Sequence, residues 1–336
     1  MNHKSDYAHS TTTGLQSVLQ RDAKAKSAMS QAVAEITRAS VGVPARSTAA
    51  ASPVSIGTPS AVGIGTQGWA VPGWQGLLYP SGLKANKRLS LYARVFNSVE
   101  VNSTFYAPPA PETVKRWLAD TPPEFRFALK MPRWITHERR LRIGPRDLEE
   151  FLRTAELFED KLGPILIQLP PSFGAPGLSI LSEFLRDLPV DSMQFCVEVR
   201  RPSLRSAGVR NLLHRRGVGL VTTNLLNEPG DVETISGIAY LRLIGGRRIP
   251  GVTTPDPSQM TLDEFAIETG RWASALALAQ REHPKGEHNV EAYAFVSNDY
   301  YGPGILPAAQ MMKHLGIPTR LRSGSFDTSP VQGALL

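Results

Sequence analysis

Charged side chains lie at the ends of several short β-rich runs in this chain of 336 residues. Glu100, Lys130 and Arg242 each lie near the end of one run, and Glu198 and Arg200 lie together at the end of another. In a parallel barrel, the carboxyl ends of the strands meet at one face, where side chains from different strands converge. Because an unpaired buried charge is costly, these residues must form ion pairs or face a water-filled pocket. The pattern fits a closing ion-pair network or a ligand site, and convergence from separate runs favours the ligand site.

The cations predict recognition of a small anionic or polar ligand. Lys130, Arg200 and Arg242 are expected to bind carboxylate, phosphate or sulfate oxygens, which arginine can hold through two parallel hydrogen bonds. Amide side chains in four of the runs are expected to orient hydroxyl or carbonyl groups of the substrate. These amides are Asn102, Gln168, Asn224 and Asn298.

Four residues are candidates for proton transfer. Glu100 and Glu198 form a pair of carboxylates of the kind that glycoside hydrolysis uses as acid and base. Tyr106 and His137 are further candidates. Glu198 lies close to two arginines, which are expected to lower its pKa and suit it to holding a cation. Glu100 is therefore the preferred acid–base residue.

No metal or cofactor site is expected from the sequence. The single cysteine, Cys196, stands between apolar residues and is interpreted as part of the core. Of seven histidines, only His137 falls near the end of a run. Gly63, Gly65 and Gly68 have the spacing of a dinucleotide-binding fingerprint, but a proline-containing segment follows them where that fingerprint requires a helix. The expected chemistry is acid–base catalysis without a metal.

Short β-rich runs alternate with segments of helical period from residue 61 to about residue 316, which predicts one TIM-type (β/α)₈ barrel. An open, doubly wound sheet is the structural alternative. The predicted strands are residues 61–69, 97–106, 125–132, 165–170, 194–200, 219–224, 238–246 and 290–300. The predicted helices are residues 86–96, 111–121, 146–163, 178–188, 210–216, 261–283 and 303–315.

The two ends of the chain differ from the predicted barrel. Residues 1–60 are rich in Ser, Thr and Ala and are expected to form a disordered or weakly helical extension, with an organellar transit peptide as the alternative. Residues 317–336 form a C-terminal tail. The absence of a long apolar run argues against a membrane span, and the low cysteine content fits the cytoplasm. The net charge of +7 is compatible with anionic ligands or weak nucleic-acid contact.

Several motifs match the pattern of a known family. Residues 65–69 read Gly-Thr-Gln-Gly-Trp, residues 99–106 read Val-Glu-Val-Asn-Ser-Thr-Phe-Tyr, and residues 125–130 read Phe-Arg-Phe-Ala-Leu-Lys. With Gln-Leu-Pro-Pro-Ser-Phe at 168–173, they resemble the YecE-like family, also called domain of unknown function 72. The resemblance covers about residues 61–316 and implies a TIM-type barrel. It supplies no reaction, because the activity of that family is unestablished.

The chain departs from the family pattern at positions where side chains could carry protons. Arg201 and Leu204 take the places of a His and a Trp in the pattern that the resemblance implies. Asn224 takes the place of an Asp, and Ile244 takes the place of a His. The leading hypothesis is an enzyme, such as a hydrolase, lyase or isomerase, that acts on a phosphorylated or carboxylated metabolite. These departures favour a ligand-binding or regulatory barrel without catalysis as the first alternative. A nucleic-acid-processing barrel is the second, supported by a run of arginines after residue 132.

Overall fold

Eight parallel strands form a nearly closed barrel in the computed structural model, which describes residues 62–245, 262–281, 290–298 and 304–318. The spatial order is β1-β8-β7-β6-β5-β4-β3-β2, so every neighbouring pair is parallel, as the predicted α/β barrel requires. The strands are β1 (Gly63–Thr66), β2 (Ser98–Val101), β3 (Arg126–Lys130), β4 (Leu162–Gln168), β5 (Phe195–Glu198), β6 (Gly219–Thr223), β7 (Ile238–Leu243) and β8 (Glu291–Val296).

Side chains help to close the barrel between β1 and β2. The only backbone bridge between these two strand regions in the described residues joins Gln67 to Glu100. Nearer the start of the strands, the amide of Asn97 spans the gap. Its Oδ1 accepts a hydrogen bond from the backbone amide of Ile64, and its Nδ2 donates to the carbonyl oxygen of Val62, both at 2.8 Å. The seam therefore depends on one asparagine as well as on strand pairing.

A buried tyrosine hydroxyl completes the same seam. Tyr92 accepts a hydrogen bond from the backbone amide of Thr66 at 2.8 Å and donates to the carbonyl oxygen of Ser98 at 3.1 Å. A Cβ atom at Gly65 would lie 1.9 Å from that carbonyl oxygen, so only glycine permits this approach. The closely spaced glycines of β1 thus serve barrel closure.

Helices cover the outside of the strands where the sequence predicts them, with shifts at their ends. Ser206 accepts a hydrogen bond from the backbone amide of Val209 at 3.3 Å, and this cap starts α5 three residues earlier than the predicted residue 210. The helices are α1 (Arg88–Tyr92), α2 (Pro111–Ala119), α3 (Pro145–Glu156), α4 (Leu178–Phe184), α5 (Ala207–Arg215), α6 (Leu262–Arg281) and α7 (Ile305–His314). A two-residue strand, Thr234–Ile235, pairs antiparallel with β7 in the connection that precedes it.

The prediction that strand two continues to residue 106 is wrong. β2 ends at Val101, and Asn102–Phe105 form a 3₁₀ turn. The Thr104 hydroxyl lies 2.7 Å from the carbonyl oxygens of Val101 and Lys130, and it accepts a hydrogen bond from the Lys130 amide at 3.2 Å. These contacts bend the chain across the end of β3. Tyr106 consequently lies on the surface, 76% exposed.

The barrel interior is apolar below its charged end. Cys196 is fully buried there and is a free thiol, which confirms its interpretation as a core residue. Side chains from every strand between β3 and β8 contribute to the cluster around it. The interior cluster contains Ala128, Leu166, Cys196, Val221, Ile238, Tyr240, Tyr293 and Phe295. The predicted extension at residues 1–60 lies outside the described residues, as does the tail beyond residue 318.

Candidate functional site

Arg242 on β7 is the centre of a buried network at the carboxyl end of the barrel. It donates to both carboxylate oxygens of Glu100, from Nε at 2.9 Å and from Nη2 at 2.8 Å. Its Nη1 pairs with Oε2 of Glu198. The hydroxyl of Tyr240 donates to Oε2 of Glu100 at 2.7 Å. We call these residues (Glu100, Glu198, Tyr240 and Arg242) the inner network, and all of them are almost completely shielded from solvent.

Glu198 also binds two groups on its open side. Gln168 donates from Nε2 to Oε2 of Glu198 at 3.1 Å, and Nε of Arg200 pairs with Oε1. Burial by itself raises the pKa of this carboxyl, but the charges of Arg242 and Arg200 and the bond from Gln168 outweigh burial and lower the pKa to about 2. Glu198 is thus an anion that holds two cations, as its sequence neighbours predict.

The same geometry bears on the acid–base role predicted for Glu100. Both of its oxygens accept hydrogen bonds, from Arg242 and Tyr240, and its side chain has no exposed surface. A carboxylate whose oxygens are both engaged in this way is out of reach of a solvent-borne substrate. The contacts favour a structural role for Glu100, in which it fixes the guanidinium of Arg242.

Lys130 lies at the end of β3, where no ion pair within the described ranges includes it. Its side chain is only 9% exposed, and its Nζ lies 4.0 Å from the centroid of the Phe105 ring. Burial lowers the pKa of Lys130, the charge of Arg242 lowers it further, and the opposing effect of Glu100 and Glu198 leaves it at about 8. Arg242 and Arg200 together balance the charges of Glu100 and Glu198, so the positive charge of Lys130 has no partner among them.

His137 contacts the same aromatic ring as Lys130. It belongs to the π-helical turn Trp134–Glu138, its ring lies edge-on to Phe105 at 5.0 Å, and its Nδ1 is 2.9 Å from the hydroxyl of Thr136. Burial lowers the pKa of His137, and the positive charge of Lys130 lowers it further, which keeps the imidazole neutral near pH 7. We call Phe105, Lys130 and His137 the outer layer.

Phe105 was not anticipated as part of the site. In a continuing strand its side chain would have pointed away from Glu100, and only the 3₁₀ turn after Val101 brings it under Lys130. Tyr106 contacts Phe105 at 5.2 Å but lies at the surface, outside the inner network and the outer layer. The structure thus places a ring from this motif at the site, one residue before the predicted candidate.

The predicted amides divide into two groups. Asn224 uses its whole side chain on the backbone of Ile244, donating to the carbonyl oxygen at 2.9 Å and accepting from the amide at 2.6 Å, so it fixes the end of β7. By contrast, Asn102 and Asn298 each have a buried Oδ1 for which the described part of the chain offers no hydrogen-bond partner. The buried Nε2 of Gln67 likewise has no hydrogen-bond partner there. These three residues follow β2, β8 and β1, which are neighbours in the barrel.

The arginine-rich segment after β3 is tied to the next loop. Arg140 adopts a positive φ of 50° and donates to the hydroxyl and the carbonyl oxygen of Ser172, both at 3.1 Å. Arg201, at one of the positions that depart from the family pattern, donates to the carbonyl oxygen of Pro171 at 2.9 Å. Arginines from two loops thus fasten the loop after β4 beside the site.

No three His, Cys, Asp or Glu side chains converge as metal ligands within residues 62–245, 262–281, 290–298 and 304–318. Among the helices of those same ranges, none combines the length and the apolar character needed to cross a bilayer.

An eight-stranded parallel α/β barrel with polar and charged groups at its carboxyl end defines the class of this protein. The family model described as protein of unknown function DUF72 matches residues 63–330. The chain belongs to the DUF72 family, which confirms the resemblance seen in its motifs.

Curated relatives and solved structures agree with this assignment. The chain is 38% identical over 163 residues to the UPF0759 protein YecE of Escherichia coli K12, an alignment that spans 47% of this chain and 57% of that protein. It is 31% identical over 116 residues to the UPF0759 protein YunF of Bacillus subtilis, over 33% of this chain and 40% of that protein.

Among solved structures, a DUF72 family protein from Thermotoga maritima is 26% identical with a TM-score of 0.60, covering 76% of this chain and 99% of that one. A DUF72 family protein from Enterococcus faecalis, 18% identical over 77% of this chain and 96% of that one, has a TM-score of 0.59 and shows the shared fold alone.

Proposed function

We propose that this DUF72 barrel is an enzyme that binds a small anionic metabolite at the carboxyl end of its strands and acts on it by acid–base chemistry. The anion is a carboxylate or a phosphate, and Lys130 is the residue that attracts it. The outer layer supplies the proton carriers, since the inner network holds both buried carboxylates in ion pairs.

The observation that carries this proposal is the charge balance at the barrel end. Two carboxylates, Glu100 and Glu198, face two arginines, and every one of their four oxygens has a polar partner. The positive charge of Lys130 is left over. A buried cation without a counter-ion is costly to keep, and such groups occur mainly where a ligand uses them.

Unpartnered amide atoms support the same reading. Buried polar atoms in proteins are almost always hydrogen-bonded, yet Gln67, Asn102 and Asn298 each carry a buried atom without a partner in the described ranges. Two of these atoms are acceptors and one is a donor, a set that suits the hydroxyl and carbonyl groups of a polar metabolite. An anionic compound with several oxygens is the ligand class that fits both features.

Ligand-induced changes in melting temperature test the proposal. Wild type, Lys130→Arg and Lys130→Met are titrated with a panel of small carboxylates and phosphates. A ligand at about 100 times its Kd is expected to stabilise wild type by about 2.7 kcal/mol, with stabilisation kept in Lys130→Arg and lost in Lys130→Met. Equal stabilisation of wild type and Lys130→Met by every compound would contradict the proposal.

The non-catalytic alternative rests on the residues that replace family-pattern histidines. Arg201 serves a loop contact, and the backbone of Ile244 is fixed by Asn224, so neither position contributes a proton carrier. This barrel would bind the same anions without converting them. Incubating the bound compound with wild type and with Lys130→Met, and following its loss by mass spectrometry, separates the two cases: conversion by wild type alone supports the enzyme.

A further inference from the structure

We propose that Lys130 is a nucleophile whose amine forms an imine with a carbonyl group of the anionic substrate. This inference rests on the proposed function, because it places the carbonyl carbon of the same ligand at Nζ of Lys130. It adds the substrate class: a small aldehyde or ketone that carries a carboxylate or a phosphate.

The surroundings of Nζ are those of a nucleophilic amine. A lysine is activated when it is removed from water or placed beside another cation, and Lys130 meets both conditions, 9% exposed and close to Arg242. The carboxylates that could neutralise it, Glu100 and Glu198, are both engaged by arginines. The face of Phe105, 4.0 Å from Nζ, attracts an ammonium ion only weakly and carries no negative charge that would neutralise it. Nothing in the described ranges therefore holds the amine as a salt-bridged ammonium ion.

The depressed pKa of Lys130, about 8, makes the reactive form accessible. An amine with that pKa has on the order of a hundredfold more neutral form at pH 7 than an ordinary lysine. Most molecules still carry the ammonium ion at that pH, so the site attracts an anion and retains a reactive fraction. Anion capture and nucleophilic attack thus use the same residue in two protonation states.

The bond changes of the step balance without a co-reactant. The lone pair of neutral Nζ forms a bond to the carbonyl carbon, and the carbonyl π electrons move to oxygen. One proton passes from nitrogen to that oxygen and gives a carbinolamine. The proton that the Lys130 ammonium ion released on becoming neutral is returned to the hydroxyl, the C–O bond breaks, water leaves, and the nitrogen lone pair forms the C=N bond. The products are one protonated imine and one water, with no change in oxidation state.

His137 is placed to carry the proton between nitrogen and oxygen. It lies against the same Phe105 ring as Lys130, and it is kept neutral by burial and by the neighbouring positive charge. A protonated imine carries the same single positive charge as the ammonium ion that it replaces. The charge balance set by the inner network is therefore preserved when the imine forms, and the iminium group remains paired with the anion of the substrate.

Reductive trapping tests the imine. The full-length protein is incubated at pH 7 with glyoxylate, the smallest aldehyde that carries a carboxylate, together with cyanoborohydride, and labelled lysines are identified by peptide mass spectrometry. Lys130 is expected to be carboxymethylated on the order of a hundredfold faster than the exposed Lys115 of α2, in line with its larger neutral fraction. His137→Gln is expected to slow labelling of Lys130 by about a hundredfold, leaving anion-induced stabilisation intact.

The possible failures are distinguishable. Lys130→Arg keeps the charge but cannot form the imine, so it separates anion binding from nucleophilic attack. Labelling of Lys130 no faster than Lys115, in a protein that carboxylates still stabilise, would overturn the imine and leave the proposed function standing. If glyoxylate and neutral acetaldehyde labelled Lys130 equally fast, the amine would be shown to be reactive, and the claim that the site recognises the anion would be overturned.

Discussion

The inner network and the outer layer lie side by side at one end of the barrel and treat charge in opposite ways. In the inner network, Glu100 and Glu198 are balanced by Arg242 and by the adjoining Arg200, and the hydrogen bonds of Arg242 join three separate strands. In the outer layer, Lys130 has an aromatic face in place of a counter-ion. The first arrangement balances its charges within the protein. The second leaves the positive charge of Lys130 to be balanced by a bound anion.

The contrast separates structural from functional charge at one site. A matched buried network that loses one partner leaves an uncompensated charge, which is strongly destabilising. An unmatched cation already carries a cost, so removing it should stabilise the fold while removing function. The two layers are thus expected to respond to substitution with opposite signs, and the following predictions test this contrast.

Replacing the central guanidinium is expected to have the largest effect. Arg242→Met leaves Glu100 buried with two fewer hydrogen bonds and Glu198 with one fewer, and should lower the free energy of unfolding by about 4 kcal/mol. Urea denaturation at pH 7 measures this change. Arg142→Met, an arginine of the loop after β3 outside the network, is the matched control and should change stability by less than about 0.5 kcal/mol. A loss below about 1 kcal/mol in Arg242→Met would show that the network is not needed for stability.

Acid should weaken the inner network through Glu198. Its pKa in the folded protein, about 2, lies below the ordinary value of 4.5, so its contribution is complete above pH 4.5 and is lost as the pH falls toward 2. At about 1.4 kcal/mol per pKa unit, this contribution is on the order of 3 kcal/mol. Unfolding free energies measured from pH 5 to pH 2 should decline more steeply in wild type than in Glu198→Gln. Parallel curves for the two proteins would contradict the pairing.

The outer layer should show the opposite sign. Lys130→Met is expected to raise the free energy of unfolding by about 3 kcal/mol at pH 7, because it removes a buried, uncompensated charge. The folded-state pKa of Lys130 is depressed to about 8 from 10.5, so wild type recovers stability as the pH rises between these values and the advantage of the variant fades by about pH 10. Denaturation series at pH 7 and pH 10 measure both points.

A matched control for this prediction lies on α2. Lys115→Met removes an exposed lysine and should change stability by less than about 0.5 kcal/mol at either pH. If Lys130→Met changed the free energy of unfolding as little as Lys115→Met, or lowered it at pH 7, the result would show that Lys130 has a counter-ion or is fully solvated.

A smaller effect is expected at the seam between β6 and β7. Asn224→Ala removes two hydrogen bonds to the backbone of Ile244 and should cost about 1 to 2 kcal/mol. Asn224→Asp keeps the acceptor for the amide of Ile244 and loses the donor, so it should lie between wild type and alanine. Thermal denaturation ranks the three proteins, and a change of less than about 0.3 kcal/mol in Asn224→Ala would leave that amide available for ligand binding.

Most of the fold could be read from the sequence, because alternating β-rich and helical segments leave few topologies open. The placement of charges at strand ends followed from the same pattern. The ion pairs among these charges could not be predicted from the pattern. Glu100 and Arg242 are 142 residues apart, and their contact depends on how the barrel closes across the β1–β2 seam. No local feature of the sequence encodes that closure.

Turn geometry explains the remaining differences. Alternation predicts that strand two continues to Tyr106, but the hydroxyl of Thr104 binds backbone carbonyl oxygens of two strands and β2 ends at Val101. Phe105 thereby reaches Lys130 and Tyr106 reaches the surface. Side-chain competition for backbone hydrogen bonds is a local effect that hydrophobic periodicity does not record.

The charge state of Lys130 is the claim on which the proposed function and its chemistry depend. Nuclear magnetic resonance of the lysine side-chain carbons and nitrogens, assigned by the signal lost in Lys130→Arg, gives its titration directly. We expect the Lys130 amine to titrate with a pKa of about 8 and to move upward when a small carboxylate or phosphate is added. Titration at the ordinary lysine value of 10.5, unchanged by any anion, would contradict the account.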